Sequence, residues 1–345
     1  MKQQRISKFK YLIGLCSAAI ILNFSPVMAE GNYVLATAST GGTYYPVGVA
    51  ISTLVKIKLQ NSAKIGMSAI PSAGSDENVK LMGENQVQFA ILQGLYGFFA
   101  REGVGSFASL GPQKGILSVT MLWPNVEHFT IQKKYAKTKT FSDLKNVKGM
   151  SIAMGAKNSG TLGSNQVLLK SLGLDIEKDF DLFYAGYGPS MTALTDGKVV
   201  AAGTPAGDPV GAVTTALAQS GDTLQLLSFT KDEITRANKG YDIWSSYVVK
   251  AGTYPGQTED LRTIAQPNFL AVREDLSADD VFKILDAIYS NLSFLKNIHQ
   301  ATGKMTLDNN DDGISTAIAG LPLKLHPGAI KFYESKGIKI PASLK

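Results

Sequence analysis

Two short turns of glycine and hydroxyl-bearing residues are the parts of this sequence best suited to hold a ligand. They lie at residues 40–46 (TGGTYYP) and 155–161 (GAKNSGT), each between a short apolar run and a stretch with helical spacing of apolar residues. The first turn of a helix leaves backbone N–H groups without partners, and the helix dipole favours a negative charge beside them. Two such turns facing each other across a cleft are suited to capture a small carboxylate rather than to catalyse a reaction.

We predict ligand contacts from both turns and from three further polar side chains. Gln93 ends a strand-like run, and Ser75 and Thr43 occupy the same edge, where open α/β sheets bind ligands. Asp208 would repel an acid but accept a hydrogen bond from an ammonium group. The alternatives are an ordinary strand–helix turn in which Pro46 only starts the helix, and a Gln93 amide that only fixes a loop. The predicted binding residues are Gly42, Thr43, Tyr44, Ser75, Gln93, Asn158, Ser159, Gly160, Thr161 and Asp208.

The first 29 residues have the pattern of a secretory signal peptide. Four basic residues lie within the first ten positions, residues 11–24 are apolar, and Ala29 ends a small-residue cleavage motif. We predict cleavage after Ala29 and export to the periplasm. An uncleaved membrane anchor is the alternative, although the apolar run is short for a stable membrane span.

Loss of this leader changes the charge and the cysteine content of the chain. The full chain has a formal net charge of +6, and the leader carries four basic residues and no acidic one, so the mature chain has +2. No block of basic residues with interleaved aromatics remains, so nucleic acid is not an expected partner. The single cysteine, Cys16, lies in the leader, so the mature chain offers no disulfide and no thiolate, which suits an oxidising compartment.

The mature sequence repeats a pattern of alternating strand-like and helix-like segments, which predicts an α/β protein with two lobes. We assign residues 30–120 to lobe one and residues 121–265 to lobe two. An apolar run at 269–273 is interpreted as a strand that returns the chain, so residues 266–345 are assigned to lobe one as well. A ligand cleft between the lobes, closed by hinge motion, is expected.

Enzyme motifs are nearly absent from the sequence, so we expect a binding protein without catalytic residues, cofactor or nucleotide. There is no G-x-S-x-G, Walker or H-E-x-x-H motif. Residues 103–108 fit a relaxed dinucleotide fingerprint, but they follow a helix-like stretch instead of a strand. His128, His299 and His326 match no metal-binding spacing. An enzyme on the same scaffold is the less favoured alternative.

Seven short motifs occur in the order typical of one family of solute-binding proteins. They lie at 41–46, 74–78, 89–93, 143–145, 157–161, 251–257 and 325–329. Through them the chain resembles the TAXI family of solute-binding proteins from tripartite ATP-independent periplasmic (TRAP) transporters, over nearly all of residues 32–338. Two stretches on the expected ligand edge, 94–95 and 207–210, depart from the family pattern, which leaves the ligand open.

This resemblance implies a two-lobed periplasmic-binding-protein-like fold of type II and a periplasmic receptor for a small organic anion or amino acid. It also implies glutamate, glutamine or a dicarboxylate such as 2-oxoglutarate as the ligand, and TRAP membrane permease subunits as the partner. The alternative to transport is a sensor that presents its ligand to a membrane histidine kinase. Permease genes beside this one favour transport, whereas a lone kinase gene favours sensing.

Overall fold

The computed structural model of the protein describes residues 31–345. The predicted signal peptide and its cleavage site after Ala29 lie outside the described residues. The strands are β1 (Gly31–Ala36), β2 (Ile65–Ile70), β3 (Phe89–Gln93), β4 (Ile116–Val126), β5 (Phe129–Gln132), β6 (Ser151–Ile152), β7 (Asp181–Leu182), β8 (Ala201–Gly203), β9 (Leu224–Leu226), β10 (Ser245–Val249) and β11 (Leu261–Arg273). The helices are α1 (Tyr44–Ala63), α2 (Ser75–Gly83), α3 (Gly94–Glu102), α4 (Gly160–Ser171), α5 (Tyr187–Thr195), α6 (Gly211–Ser220), α7 (Lys231–Ala237), α8 (Ala278–Tyr289), α9 (Leu292–Ile298) and α10 (Pro327–Ser335).

A six-stranded mixed sheet organises the larger part of the fold. Strands β10, β11, β3, β1 and β2 lie side by side, and β4 pairs with β11. Strand β1 is parallel to β2 and β3, whereas β11 is antiparallel to β3, β4 and β10. Because β3 lies between β1 and β11, all five of its residues are buried, and its sequence FAILQ is an uninterrupted apolar run that ends in a glutamine.

Helix α1 covers this sheet with one apolar face. Val47, Ile51, Leu54 and Val55 recur at helical spacing and are all buried, as the sequence pattern predicts. The helix packs on β2 and on α8, and α8 packs in turn on α10. At the start of α8, the Ser277 side chain accepts a hydrogen bond from the N–H of Asp280, which satisfies one of the free donors of the first turn.

A second, smaller region is built on two short sheets. Strand β5 lies between β8 and β9 and runs antiparallel to both, while β6 pairs in parallel with β7. The rings of Phe129, Phe141 and Phe229 pack together in its core, with Phe141 and Phe229 stacked at a centroid distance of 4.6 Å. Helices α4 and α5 begin in the connections that follow β6 and β7.

Two long strands, β4 and β11, lead from the large sheet into the smaller region. They pair antiparallel from Ile116↔Arg273 to Val126↔Ala265, with irregularities between Pro267 and Phe269 and between Leu270 and Ala271. The lobe limits predicted at 120/121 and 265/266 fall inside these two strands. Strand β10, which was assigned to lobe two, pairs with β11 in the large sheet.

The described residues carry two further features that bear on function. No helix within residues 31–345 combines the length and hydropathy needed to cross a membrane. The same residues contain no cluster of three or more histidine, aspartate or glutamate side chains able to hold a metal ion.

Candidate functional site

A cavity of about 130 Å³ lies where the first turns of α1, α2, α4 and α5 meet. One buried water needs about 10–15 Å³ of such space, so the cavity admits a solute of several non-hydrogen atoms. Helices α1 and α2 belong to the large-sheet region, and α4 and α5 belong to the smaller one. The lining residues are Ala38, Ser39, Gly42, Thr43, Tyr44, Ser72, Ala73, Gly74, Ser75, Gln93, Ala156, Ser159, Gly160, Thr161, Ala185, Gly186, Tyr187, Pro205 and Ala206.

The structure brings eight of the ten predicted binding residues to this cavity and places the other two elsewhere. Asn158 is exposed, with a left-handed φ of 60°, and its carbonyl accepts a hydrogen bond from the N–H of Glu77 at 3.1 Å. Asp208 is half-buried and accepts a hydrogen bond from the Tyr247 hydroxyl at 3.0 Å. The eight residues at the cavity are Gly42, Thr43, Tyr44, Ser75, Gln93, Ser159, Gly160 and Thr161.

Helix starts supply the hydrogen-bond donors of the cavity. Helices α1, α2 and α5 begin at Thr43, Gly74 and Gly186 without a capping hydrogen bond from a side chain. In α4 the Ser159 side chain accepts from the N–H of Leu162, one turn into the helix. First-turn N–H groups therefore converge on the cavity from both regions of the fold, with their helix dipoles aimed at one space.

Glycines allow the helix starts of α2 and α4 to approach within backbone contact. A Cβ at Gly160 would lie 2.6 Å from Oε1 of Gln93 and 2.8 Å from Cβ of Ser75. A Cβ at Gly74 would lie 3.5 Å from the nitrogen of Gly160, and Gly74 has a φ of 124°, which side-chain-bearing residues rarely adopt. Larger residues at position 160 would hold the two helix starts apart.

Hydroxyl groups of the cavity wall form hydrogen bonds within the protein, and the bond of Thr43 joins the two sides of the cavity. Thr43 Oγ1 donates to the carbonyl oxygen of Gly207 at 3.1 Å. The Tyr187 hydroxyl donates to the carbonyl of Pro205 and lies 2.8 Å from Thr161 Oγ1, which must then be the donor in that pair. On the opposite side, the Tyr44 hydroxyl donates to Oδ1 of Asn268.

These bonds change the expected role of the hydroxyl groups. Thr43 and Tyr44 are among the predicted binding residues, but the hydroxyl protons of both go to protein acceptors in this structure. Backbone N–H groups of the helix starts are available as donors to a ligand, and the hydroxyl oxygens retain lone pairs that can accept. A buried amide oxygen, Oε1 of Gln93, also has no partner among the described residues.

The cavity wall itself is electrically neutral. Within the described chain, no aspartate, glutamate, lysine, arginine or histidine side chain lines it. Its two tyrosines stay protonated, because burial raises the pKa of Tyr44 and of Tyr187 far above the ordinary value. An anion in the cavity would therefore be held by helix dipoles and N–H groups instead of an opposite formal charge.

One wall of the cavity was missed by the sequence prediction. Gly186 and Tyr187 start α5, and the ring of Tyr187 packs so closely on the first turn that a Cβ at Gly42 would lie 3.2 Å from it. The signal was present at residues 185–190 (AGYGPS), where a third small-residue turn follows a strand-like run and precedes a helix-like one.

Three solved structures share the fold at low sequence identity. A protein from Bordetella bronchiseptica RB50 has a TM-score of 0.51 and 12% identity, covering 89% of this chain and 98% of its own. A structure described as a periplasmic transporter also has a TM-score of 0.51 and 12% identity, covering 90% of this chain and 95% of its own. The binding-protein component of an ABC phosphonate transporter from Pseudomonas aeruginosa has a TM-score of 0.50 and 11% identity, covering 79% of each chain.

The molecule is a two-lobed α/β protein with the periplasmic-binding-protein fold, which confirms the predicted fold class. Its cavity, closed from both sides by helix starts, lies in the cleft that this fold provides. The chain belongs to the NMT1-like family, whose model matches residues 35–337.

Proposed function

We propose that the mature protein is a periplasmic receptor that captures a small organic anion between two lobes and delivers it to a membrane permease. The observation that carries the proposal is the convergence of four helix N-termini, two from each side, on one cavity. Backbone N–H groups and aligned dipoles at helix starts bind carboxylates, phosphates and sulfates. The similar solved structures include the binding-protein component of an ABC phosphonate transporter and a protein described as a periplasmic transporter, which agrees with a receptor.

The proposed lobes are residues 30–120 with 266–345 and residues 121–265, joined through β4 and β11. The direct bonds from Thr43 to Gly207 and from Glu77 to Asn158 connect the two sides at the cavity. A bound anion would add contacts to both sides at once, so it would stabilise the closed arrangement relative to an open one. The permease could then recognise the closed, ligand-bound receptor and distinguish it from the open, empty receptor.

A neutral cavity wall favours binding over catalysis. General acid–base or nucleophilic catalysis requires a positioned titratable or nucleophilic side chain within reach of the ligand. Among the lining hydroxyls, Thr43 donates to a backbone carbonyl and Thr161 donates to the Tyr187 hydroxyl, and no acidic, basic or imidazole side chain among residues 31–345 lies in the lining. This arrangement supports a receptor that releases its ligand unchanged.

The proposal also specifies the chemical class of the ligand and the class of permease that receives it. The resemblance to the TAXI family implies glutamate, glutamine or a dicarboxylate such as 2-oxoglutarate as ligand and a TRAP permease as partner. The similarity to a component of an ABC phosphonate transporter makes an ABC permease and a phosphonate ligand the alternative to test. Genes beside this one provide the first discrimination, since TRAP permeases, ABC permeases and sensor kinases are distinct.

Calorimetric titration and thermal shift of the protein starting at Glu30 test the function directly. The probes are L-glutamate, L-glutamine, 2-oxoglutarate and methylphosphonate, with glucose as an uncharged control. A ligand at 100 times its dissociation constant stabilises the folded state by about 2.7 kcal/mol, which a thermal shift detects readily. Binding of at least one anion and no response to glucose is expected. Binding of glucose alone, or turnover of a bound anion, would contradict the proposal.

Export is tested separately from binding. Intact-mass measurement on protein recovered from the periplasmic fraction should give a chain that starts at Glu30. A protein that retains the first ten residues, or that stays in the membrane fraction, would contradict cleavage after Ala29.

A further inference from the structure

A fully buried acidic side chain, Glu127, is connected to the cavity by hydrogen bonds without taking part in its lining. It follows β4 directly, at the junction where the chain enters the smaller region, and its side chain has no exposed surface. Oε1 accepts hydrogen bonds from Ser164 Oγ and Trp244 Nε1, both at 3.1 Å, and from Gln266 Nε2 at 3.4 Å. Oε2 has no hydrogen-bond partner among residues 31–345.

The surroundings of Glu127 contain no cationic partner within the described chain. Ser164, Trp244 and Gln266 are neutral donors, and the adjacent His128 is held uncharged, because burial lowers its pKa to about 4. The titratable groups that face Glu127 from α1 and α5 are Tyr44 and Tyr187, both protonated. Burial raises the pKa of Glu127 to about 7, although its three hydrogen bonds oppose the rise.

Three connections link this carboxyl group to the cavity. Ser164 lies on α4, one turn beyond the helix start that lines the cavity. Gln266 donates to Glu127 and also accepts from the N–H of Leu95, two residues after Gln93. The charge of Glu127 adds to burial in raising the pKa of Tyr44 and of Tyr187, so its field reaches both walls of the cavity.

We propose that the cavity binds its anion together with one proton, which Glu127 takes up. The inference rests on the proposed function, since it requires an anionic ligand. Two negative charges in a poorly solvated space repel each other more strongly than they do in water, and no buried cation within residues 31–345 compensates them. Protonation removes one of the charges, and it costs no existing hydrogen bond at Oε2.

The direction of the pH effect follows from linkage. An anion raises the affinity of Glu127 for a proton, and reciprocally the protonated form binds the anion more tightly. The free side chain loses its proton near pH 7, so affinity is highest below that pH and falls above it. Because the complex requires protonated Glu127, the dissociation constant should rise about tenfold from pH 6 to pH 8.

Calorimetry in buffers of different ionisation enthalpy at pH 7 measures the proton uptake directly. The probes are 2-oxoglutarate and L-glutamate, whose carboxylates stay ionised between pH 6 and pH 8. The apparent binding enthalpy of the parent should depend on the buffer, with a slope that gives net proton uptake. In Glu127→Gln, which keeps the shape and one acceptor oxygen, the slope should be lost, and affinity should vary by less than about twofold over this pH range.

Two further variants keep the proposal testable if Glu127→Gln does not fold. Ser164→Ala removes one donor to the charged form, so the midpoint of the pH dependence should move upward. Asp76→Asn is the matched control, because Asp76 is also a buried carboxylate near the cavity but has Lys80 as its partner at 2.9 Å. Its proton uptake should equal that of the parent.

The outcomes separate this inference from the proposed function. Anion binding with no proton uptake by the parent, or uptake that persists in Glu127→Gln, overturns the role of Glu127 and leaves the receptor intact. Uptake lost in Asp76→Asn instead assigns the proton to another group and also overturns the inference. Failure of every anion to bind overturns both proposals.

Discussion

At the scale of single residues, three hydroxyl groups of the cavity form hydrogen bonds with other groups of the protein. Thr43 connects one lobe to the carbonyl of Gly207, and Thr161 supports Tyr187, whose own proton goes to Pro205. These side chains fix the shape of a closed cavity, while backbone N–H groups remain for the ligand. Each of these residues therefore affects ligand affinity by stabilising the closed arrangement. Substituting one should change the dissociation constant of the ligand and not only the free energy of unfolding.

Thr43→Ala should weaken ligand binding, because it removes a buried hydrogen bond that exists only when the lobes meet. A neutral hydrogen bond contributes about 1 kcal/mol, which corresponds to a rise of about fivefold in the dissociation constant. Thr43→Ser should restore most of the loss. Thr40→Ala, at an exposed position three residues earlier, is the control and should bind as the parent does. Calorimetric titration measures all three, and equal affinity of Thr43→Ala and the parent would contradict the prediction.

Gly160→Ala separates binding from stability more sharply. Alanine at this helix position favours the helix, so the free energy of unfolding of the ligand-free protein should not fall. Its Cβ would collide with Gln93 and Ser75 across the cavity, so affinity should fall by about tenfold or more.

Gly211→Ala is the matched control for that substitution. Gly211 is likewise the first residue of a helix, α6, and a Cβ there would meet no atom within 4 Å. This variant should therefore bind as tightly as the parent. If Gly160→Ala also retains the affinity of the parent, the two helix starts do not need to approach in order to hold the ligand.

At the scale of elements, a comparison of two helix caps separates effects on folding stability from effects on ligand binding. Ser159 caps α4 by accepting from the N–H of Leu162, and Thr230 caps α7 in a reciprocal capping box with Glu233. The two caps are chemically alike, but only α4 starts at the cavity. The start of α7 is instead held by the contact of Glu233 with the backbone N–H and hydroxyl of Ser142.

Ser159→Ala and Thr230→Ala should each lower the free energy of unfolding by about 1 kcal/mol, the usual value of an N-terminal cap. Only Ser159→Ala should also weaken binding, because the start of α4 then loses its fixed direction toward the ligand. Urea unfolding and calorimetric titration of both variants provide the comparison. A loss of affinity in Thr230→Ala as large as that in Ser159→Ala would show that destabilisation alone explains the effect.

Local patterns allowed much of the fold and part of the cavity to be predicted from sequence. The buried stripe of α1 and the apolar run of β3 follow from periodicity, and the turns before α1 and α4 follow from their glycines and hydroxyls. The packing of Tyr187 on Gly42 and the pairing of β4 with β11 join residues that are distant in sequence, so no local pattern specifies these contacts. Asp208 is the opposite case. Its sequence neighbourhood predicts a ligand contact, but in the fold its side chain accepts a hydrogen bond from Tyr247 instead of lining the cavity.

At the scale of the whole molecule, β4 and β11 determine how the lobes can move. Both connections between the regions belong to one antiparallel pair, which has irregularities at Pro267–Phe269 and at Leu270–Ala271. A pair of hydrogen-bonded strands bends more readily than it shears, and bulges are places where such strands bend. The expected motion is therefore an opening of the cavity about this strand pair.

Small-angle scattering with and without ligand tests that motion. The protein saturated with the anion that titration identifies should have a smaller radius of gyration than the ligand-free protein. Thr43→Ala without ligand should be at least as expanded as the ligand-free parent, because one contact across the cavity is gone. Superimposable profiles at saturation would contradict hinge closure and would require a cavity that fills without lobe movement.

The use of backbone donors at the cavity has a consequence for genetic experiments on this protein. An amide N–H belongs to every residue except proline, so replacing a side chain with alanine leaves the groups that hold the charge in place. A conventional alanine scan would thus report on side chains and would leave the proposed anion-binding N–H groups unchanged. Scanning the helix starts with proline, or exchanging a single amide for an ester by chemical ligation, is the approach that would expose them.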